Sequence, residues 1–321
     1  MFELKADPVL AERRAPLDQA EHRPRQGPKP LPLHIAYAEM AWRANNQEQL
    51  ANFFRGIKAY RDHPYRRVAA PRPSVWRAGA TSLEDYGPDD GWPLLVIPSL
   101  INRAYVLDLM PNAGLLSFLR DGGIRPFLLD WGDPDPADRR LTLDDLILGR
   151  LEAAFEWTLN QTGRRPLVLG YCMGGVLATA LASRRPFDCA GLALLAAPWN
   201  FQEDQPVLDR WATGGHVLAG FSGMVGSMPV DLLQTLFSSI DPMAVPRKFA
   251  DFAKMDPTSE AARRFVAIED WLNDGVPLGA DFAAECLIDW YGRNAPALGR
   301  WKIGGHIVRP EQLDLPAFLA I

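Results

Sequence analysis

The sequence predicts an α/β fold: a parallel central sheet flanked by helices, with a helical insertion late in the chain. Three observations carry this. Short apolar runs at residues 94–98, 124–130, 166–170 and 190–196 alternate with amphipathic stretches, the order that produces parallel strands buried on both faces. The run at 166–170 leads straight into Gly170-Tyr171-Cys172-Met173-Gly174-Gly175, a glycine-flanked turn followed by an apolar helical stretch. Residues 199–279 then lose the strand pattern and mix Gly, Met, Phe and Trp with helix-like stretches, as an insertion after a core strand would.

Taken in order, residues 1–33 are rich in Pro, Arg, Glu and Asp, with Pro24, Pro28, Pro30 and Pro32 interrupting any period, and read as a mobile arm. From residue 34 to 60, Ile35, Ala38, Ala41 and Trp42, then Leu50, Phe53, Phe54 and Ile57, recur at helical spacing, so 34–92 is read as a helical and connecting segment. The core spans 93–198: strand 94–98, helix 113–120, strand 124–130, helix 142–160, strand 166–170, helix 173–183 and strand 190–196. The helix at 142–160 opens on Thr142 with Asp145 three residues on, a capping-box pattern, and carries the stripe Leu143, Ile147, Leu151, Phe155, Leu159. Residues 199–279 are read as a cap and 280–321 as a return to the core. That return holds a helix at 281–291, a short β-branched piece after Gly304-Gly305, and a strand beginning at 315–321. The sequence stops inside this strand, so the expectation is a core whose C-terminal strands are missing.

The chain of 321 residues has room for one large α/β domain or two ordinary ones. Hydrophobic residues at 48% and charged residues at 23% match a globular protein. The net charge of -5, with both signs interspersed, excludes a basic footprint for nucleic acid. No apolar run approaches the roughly 18 residues of a membrane span, and the first residues lack the basic-then-apolar order of a signal peptide; the expected location is the cytoplasm. Three cysteines, Cys172, Cys189 and Cys286, are too few and too far apart for a disulfide framework or a Cys-x-x-Cys metal site. Neither a metal nor a bound cofactor is expected.

Cys172 is the residue that carries chemistry. The strand-to-helix turn is so tight that side chains two residues before and two after the central residue would collide, and Gly170 and Gly174 remove them. This is the G-x-S-x-G nucleophile elbow with Cys in place of Ser. It presents the sulfur at the top of the sheet and at a helix N-terminus, where backbone N–H groups and the helix dipole favour a thiolate. The Met173 N–H would face the oxyanion, with a second donor from the loop after strand 94–98, around Ile101. Tyr171, Asp130 and Trp131 are candidate pocket-lining residues, the latter two because they follow a core strand at its C-terminal end. Asp133, Asp135 and Asp138 read as loop caps, and Cys189 and Cys286 as structural residues. A thiol attacking a thioester yields another thioester of similar energy, which favours transfer of an acyl group over hydrolysis.

The box Gly170-Tyr171-Cys172-Met173-Gly174-Gly175 resembles the cysteine lipase box of polyhydroxyalkanoate synthases, members of the α/β-hydrolase superfamily. The stretch from Leu129-Asp130-Trp131-Gly132-Asp133-Pro134 through Asp138-Arg139-Arg140-Leu141-Thr142-Leu143-Asp144-Asp145 is similar to their DWG-x-P...DR-x-LTLDD segment. Pro98-Ser99-Leu100-Ile101-Asn102-Arg103 with Val106-Leu107-Asp108-Leu109 resembles their PPLINK...ILDL segment. Glu269-Asp270-Trp271-Leu272-Asn273-Asp274, with Trp290-Tyr291 and Asn294, resembles the pattern ahead of their last core strands.

The resemblance implies an acyltransferase that polymerises 3-hydroxyacyl-CoA into polyhydroxyalkanoate, such as poly-3-hydroxybutyrate, with the growing polyester held as a thioester on the cysteine. Its partners would be the acyl-CoA and the polymer, together with a second copy of the chain or a second synthase subunit, at the surface of polyester granules; CoA belongs to the substrate. The family's triad runs Cys, Asp, His, the last two lying beyond the strand at 315–321, so the chain as given is expected to be inactive alone. His306 and His216 are the weak candidates for a base within it, whereas His22, His34 and His63 lie ahead of the core. Two other readings stand beside this one: an esterase or polyester depolymerase on the same fold, and a non-catalytic granule-associated homologue.

Overall fold

The computed structural model describes residues 25–68, 72–111, 113–202 and 205–320, without the side chains of 203–213. Two helices come first, α1 (Leu31–Trp42) and α2 (Gln47–Asp62), followed by a hairpin of β1 (Ser74–Ala78) and β2 (Thr81–Asp85). The core then runs β3 (Trp92–Ile97), α3 (Leu115–Asp121), β4 (Ile124–Asp130), α4 (Glu152–Thr162), β5 (Leu167–Tyr171), α5 (Met173–Arg184) and β6 (Gly191–Leu195). Helices α6 (Gln205–Val225), α7 (Val230–Ser238), α8 (Ala244–Phe252) and α9 (Glu260–Asn273) form the cap, tied at its base by a two-residue ladder of β7 (Ser227–Met228) and β8 (Leu278–Gly279). The chain returns through α10 (Ala280–Glu285), a small hairpin of β9 (Lys302–Ile303) and β10 (His306–Ile307), and β11 (Ala317–Ala320).

The sheet order is β1-β2-β4-β3-β5-β6-β11. The four strands expected from the sequence, β3 to β6, are neighbours and all parallel, with Leu94 opposite both Pro126 and Leu167, and Leu167 opposite Gly191. Strand β11 adds in parallel to β6. The uniform apolarity of these strands follows from their place: Leu95, Ile97 and Val168 face one cluster with α4 and α5, whereas Leu94, Val96 and Leu169 face another with α3. Helix α5 is buried along nearly its whole length, which explains a segment apolar on all sides.

Several elements differ from the sequence reading. Residues 1–24 of the expected arm lie outside the described residues, but Arg25 to Leu33 is ordered: Arg25 is bonded to Asp270 and α1 starts at Leu31. The hairpin β1–β2 has no counterpart in the reading of 61–92 as connection; it adds an antiparallel edge to the sheet through β2 and β4. The helix expected at 142–160 does begin with a reciprocal capping box. Asp145 N donates to Thr142 Oγ1 at 3.1 Å, and Thr142 N to Asp145 Oδ2 at 2.9 Å. Its first turns, Asp145–Leu151, are nevertheless wound as π-helix before α4 proper, and α10 likewise runs into a π segment at Cys286–Gly292.

Candidate active site

Strand β5 ends at Tyr171 and α5 starts at Met173, so Cys172 alone makes the turn, at φ 52 and ψ -127. A non-glycine residue at positive φ is strained and persists only where its surroundings enforce it. Here they do. A Cβ on Gly170 would stand 2.4 Å from Gly175 Cα, and one on Gly174 would stand 2.2 Å from the Ile97 carbonyl oxygen and 2.5 Å from that of Pro98. A third glycine is needed for the same reason, since a Cβ on Gly175 would meet Ala197 Cβ at 2.3 Å. The turn is pinned by Cys172 N–H donating to Leu195 O and Gly175 N–H to Cys172 O, both at 2.8 Å.

Burial pushes the Cys172 thiol above its ordinary value, and the Met173 N–H and the Ser99 side chain nearby act in the opposite direction. Burial also raises Cys189, to about 12, and Cys286. Beside the nucleophile, burial and the charge of the Cys172 sulfur raise the Tyr171 phenol, and burial chiefly raises Tyr291, whose ring packs edge-on against Phe201 at 5.0 Å.

The loop after β3 faces the elbow. Ile101 N–H points to Ser99 Oγ at 3.4 Å, so this expected donor is engaged inside its own loop. The loop is held from two sides. Trp131 Nε1 donates to Pro98 O at 3.1 Å, and from the cap side Val276 N donates to Ile101 O at 2.9 Å, with Asn102 bridged to Gly275. Trp271 Nε1 donates to Arg103 O at 2.8 Å. Trp131 and Leu100 also line a cavity of about 50 Å³, together with Leu146, Leu278 and Phe282. Tyr171 and Asp130 are not in its wall; Asp130 Oδ1 accepts from Gly132 N at 3.0 Å and shapes the turn after β4.

The other acidic residues of that turn are structural. Asp133 pairs with Arg103 at 2.8 Å, Asp135 caps Ala137 and Asp138, and Asp138 pairs with Arg150 and accepts from Ala80 N.

Among the described residues no histidine is bonded to Cys172. His216 is exposed on α6, and His306 is exposed in a hairpin whose Gly304 lies beside the Arg184 side chain, where α5 ends. Cys172 is at the other end of that helix of 12 residues. His34 and His63 are buried, with Nε2 set against Lys29 O and Pro257 O. Ser99, buried in the loop that faces the elbow, is the neighbour the sequence reading missed. The available signal was a hydroxyl two residues beyond a buried strand, opposite the elbow.

The alpha/beta hydrolase fold family matches residues 93–281, more than half of the chain, and the chain belongs to that family. Within it, the poly(3-hydroxyalkanoate) polymerase subunit PhaC of Haloferax mediterranei is 29% identical over 70% of this chain and 46% of its own length. The subunit of the same name from Haloarcula marismortui is 27% identical over 70% and 48%, and that from Allochromatium vinosum 25% identical over 77% and 72%. The chain thus spans about half the length of the first two curated relatives. The resemblance to polyhydroxyalkanoate synthases carried by the four sequence segments agrees with these relatives. No helix among the described residues is long and apolar enough to cross a membrane.

Proposed function

We propose that this chain is the cysteine-bearing part of a polyhydroxyalkanoate synthase, which polymerises 3-hydroxyacyl-CoA through a thioester on Cys172. The observation that supports this most directly is the strained elbow, which places a thiol, not a hydroxyl, at the N-terminus of α5. The thiolate attacks the thioester carbonyl carbon, the carbonyl oxygen takes the negative charge beside backbone N–H donors, and the bond to the CoA sulfur breaks. CoA leaves as a thiolate and takes up a proton; the acyl group stays on Cys172. The hydroxyl of the next monomer then needs a general base to take its proton. By the family resemblance that base is a His oriented by an Asp, and no described histidine is bonded to the sulfur. The relatives' designation as subunits supports work in an assembly, with a second copy or a second synthase subunit; the surface of a polyester granule is the place the family resemblance implies. No cofactor enters the chemistry.

The test is incubation with 3-hydroxybutyryl-CoA at alkaline pH followed by peptide mass spectrometry. The acyl adduct is expected on Cys172, with matching CoA release, and both should vanish in Cys172→Ala. An adduct on Cys189 or Cys286, or polymer formation that survives Cys172→Ala, would overturn the assignment.

A further inference from the structure

The cavity beside the nucleophile loop has no part in the chemistry above. It holds about 50 Å³ and lies where several parts of the fold meet: Leu100 and Trp131 follow β3 and β4, Val276 and Leu278 belong to the base of the cap, Leu146 to the helix after Thr142, and Phe282 to α10. These side chains make most of its wall apolar. Of the polar side chains that border it, Trp131 is engaged by Pro98 O and Asp138 by Arg150 and Ala80 N, which leaves the Thr81 hydroxyl. Such a wall suits a small apolar group and offers no free charge to a phosphate or a carboxylate.

The strand registers set this cavity beside the sulfur. Strand β3 has β4 on one side and β5 on the other, with Val96 opposite Leu128 and Ile97 opposite Gly170. Continued past the strand ends, these registers bring Trp131, Ser99 and Cys172 to one level at the carboxyl ends of three neighbouring strands, where α/β sheets bind ligands. Neighbouring strands are about 4.8 Å apart, so the main chains at Trp131 and Cys172 are separated by about 10 Å. The Trp131 indole reaches into that gap: it bonds Pro98 O at 3.1 Å, and the same oxygen would stand 2.5 Å from a Cβ on Gly174. A 3-hydroxyacyl group on the sulfur runs through three carbons before its side chain begins, a length suited to the same gap.

We propose that this cavity receives the side chain on C3 of the 3-hydroxyacyl group held on Cys172, and that its size limits how long that side chain can be. This deepens the proposed function and rests on Cys172 being the acyl acceptor. An apolar cavity of about 150 Å³ takes a benzene ring of six carbons, so one of about 50 Å³ takes about two. The substrate is therefore a 3-hydroxyacyl-CoA with a methyl or ethyl side chain. A third carbon would press on Leu146, Leu278 and Phe282, all buried in a packed core that yields little.

The experiment measures the rate of Cys172 acylation by 3-hydroxyacyl-CoA with methyl, ethyl, propyl and pentyl side chains, followed on the Cys172 peptide by mass spectrometry, in the parent chain, Phe282→Ala and Val276→Ile. In the parent the methyl and ethyl rates should be similar, with a fall of about tenfold or more at propyl. Phe282→Ala enlarges the cavity and should bring the propyl and pentyl rates close to the methyl rate. Val276→Ile adds a carbon to the wall and should move the fall to ethyl; this variant keeps the test decisive where loss of the Phe282 ring unfolds the chain, which thermal midpoints record. A parent rate that does not depend on side-chain length, or a fall that stays at propyl in the folded variants, overturns the proposal. The proposed function is judged separately. Alkyl methanethiosulfonates attach an alkylthio group to a thiol without CoA, methanesulfinate leaving, and the propyl reagent places as many atoms in line beyond the sulfur as a 3-hydroxybutyryl group. If the chain takes no acyl group, the proposed function fails. The cavity is still supported by a fall at the pentyl reagent that Phe282→Ala relieves or Val276→Ile moves to butyl, and is overturned without one.

Discussion

Two regions of this molecule are held by opposite means. The elbow around Cys172 is set by what is missing: three glycines within six residues let a strand and a helix meet backbone to backbone. The seam between the N-terminal helices and the cap is set by what is present, side chains far apart in sequence. Arg25 grips both oxygens of Asp270 at 2.6 Å and reaches the carbonyls of His63 and Tyr65. Tyr60 donates to the same carboxylate at 2.8 Å, and Lys248 pairs with buried Glu269 at 2.7 Å. Around these, Phe53, Ile57 and Tyr60 of α2 pack on Phe249 and Phe252 of α8. The segment Glu269-Asp270-Trp271-Leu272-Asn273-Asp274 is the hub: its first two residues serve the seam, while Trp271 and Asp274 reach Arg103 and Tyr105 beside the nucleophile loop. A steric constraint leaves its signature in one short window of sequence; a matched pair 245 residues apart leaves none.

The contrast breaks most readily at the elbow. Gly174→Val should be the most damaging single change, because its Cβ would stand 2.2 Å from a main-chain oxygen of β3 that no side-chain rotation can move. A loss of about 3 kcal/mol or more is expected, read as a fall in the urea midpoint or as insoluble protein. A variant that unfolds like the parent would show that the elbow can open without harm.

At the seam the expected effect is smaller. Asp270→Ala leaves the Arg25 guanidinium, with a side chain only 7% exposed, without its carboxylate, and the Tyr60 hydroxyl without its acceptor. Removing one partner of a buried pair costs about 3 to 5 kcal/mol. Asp270 is itself 28% exposed, so water offsets part of that and about 2 kcal/mol is expected. The check is chemical denaturation together with limited proteolysis, which should cut first between α2 and β1 or within the cap. Equal stability of Asp270→Ala and parent would mean that the apolar contacts of α2 and α8 hold the seam unaided.

This contrast explains how much of the molecule is legible in its sequence. The four parallel strands, the elbow and the capping box at Thr142 and Asp145 all rest on local rules of period, sterics or capping, and the structure bears them out. The hairpin β1–β2 escapes because its pairing is antiparallel at a sheet edge: β1 is partly in solvent throughout, and the buried start of β2 is Thr81, Ser82 and Leu83, which makes no long apolar run. Arg25 reads as part of a mobile arm because its partner lies in the cap. The π turns at Asp145–Leu151 and Cys286–Gly292 have no signal in a hydrophobic stripe, since one extra residue in a turn shifts the stripe only slightly. Ser99 escapes because a hydroxyl becomes informative only when the sulfur opposite it is known.

The smallest effect concerns a contact that joins the core to the returning chain. Glu285, at the end of α10, accepts from Leu143 N at 3.2 Å, at the start of the helix that the capping box opens. Burial raises its carboxyl from the ordinary 4.5 to about 7, against the pull of the Leu143 N–H, and Asp144, Asp289 and Asp145 add to the rise. A carboxyl raised in the folded state binds a proton more tightly there than in the unfolded chain. Its contribution to stability is therefore complete below the ordinary value and is lost as pH rises through about 7. Glu285→Gln keeps an oxygen for Leu143 and cannot ionise. It should match the parent in acid and exceed it in stability above neutrality. The carboxylate is half in solvent, so the gain is about 1 kcal/mol rather than the larger figure the whole shift would suggest. Thermal midpoints of both proteins across the range should diverge as pH rises. A constant difference would mean that Glu285 ionises as freely in the fold as outside it, and that this joint, like the elbow, is held by packing rather than by charge.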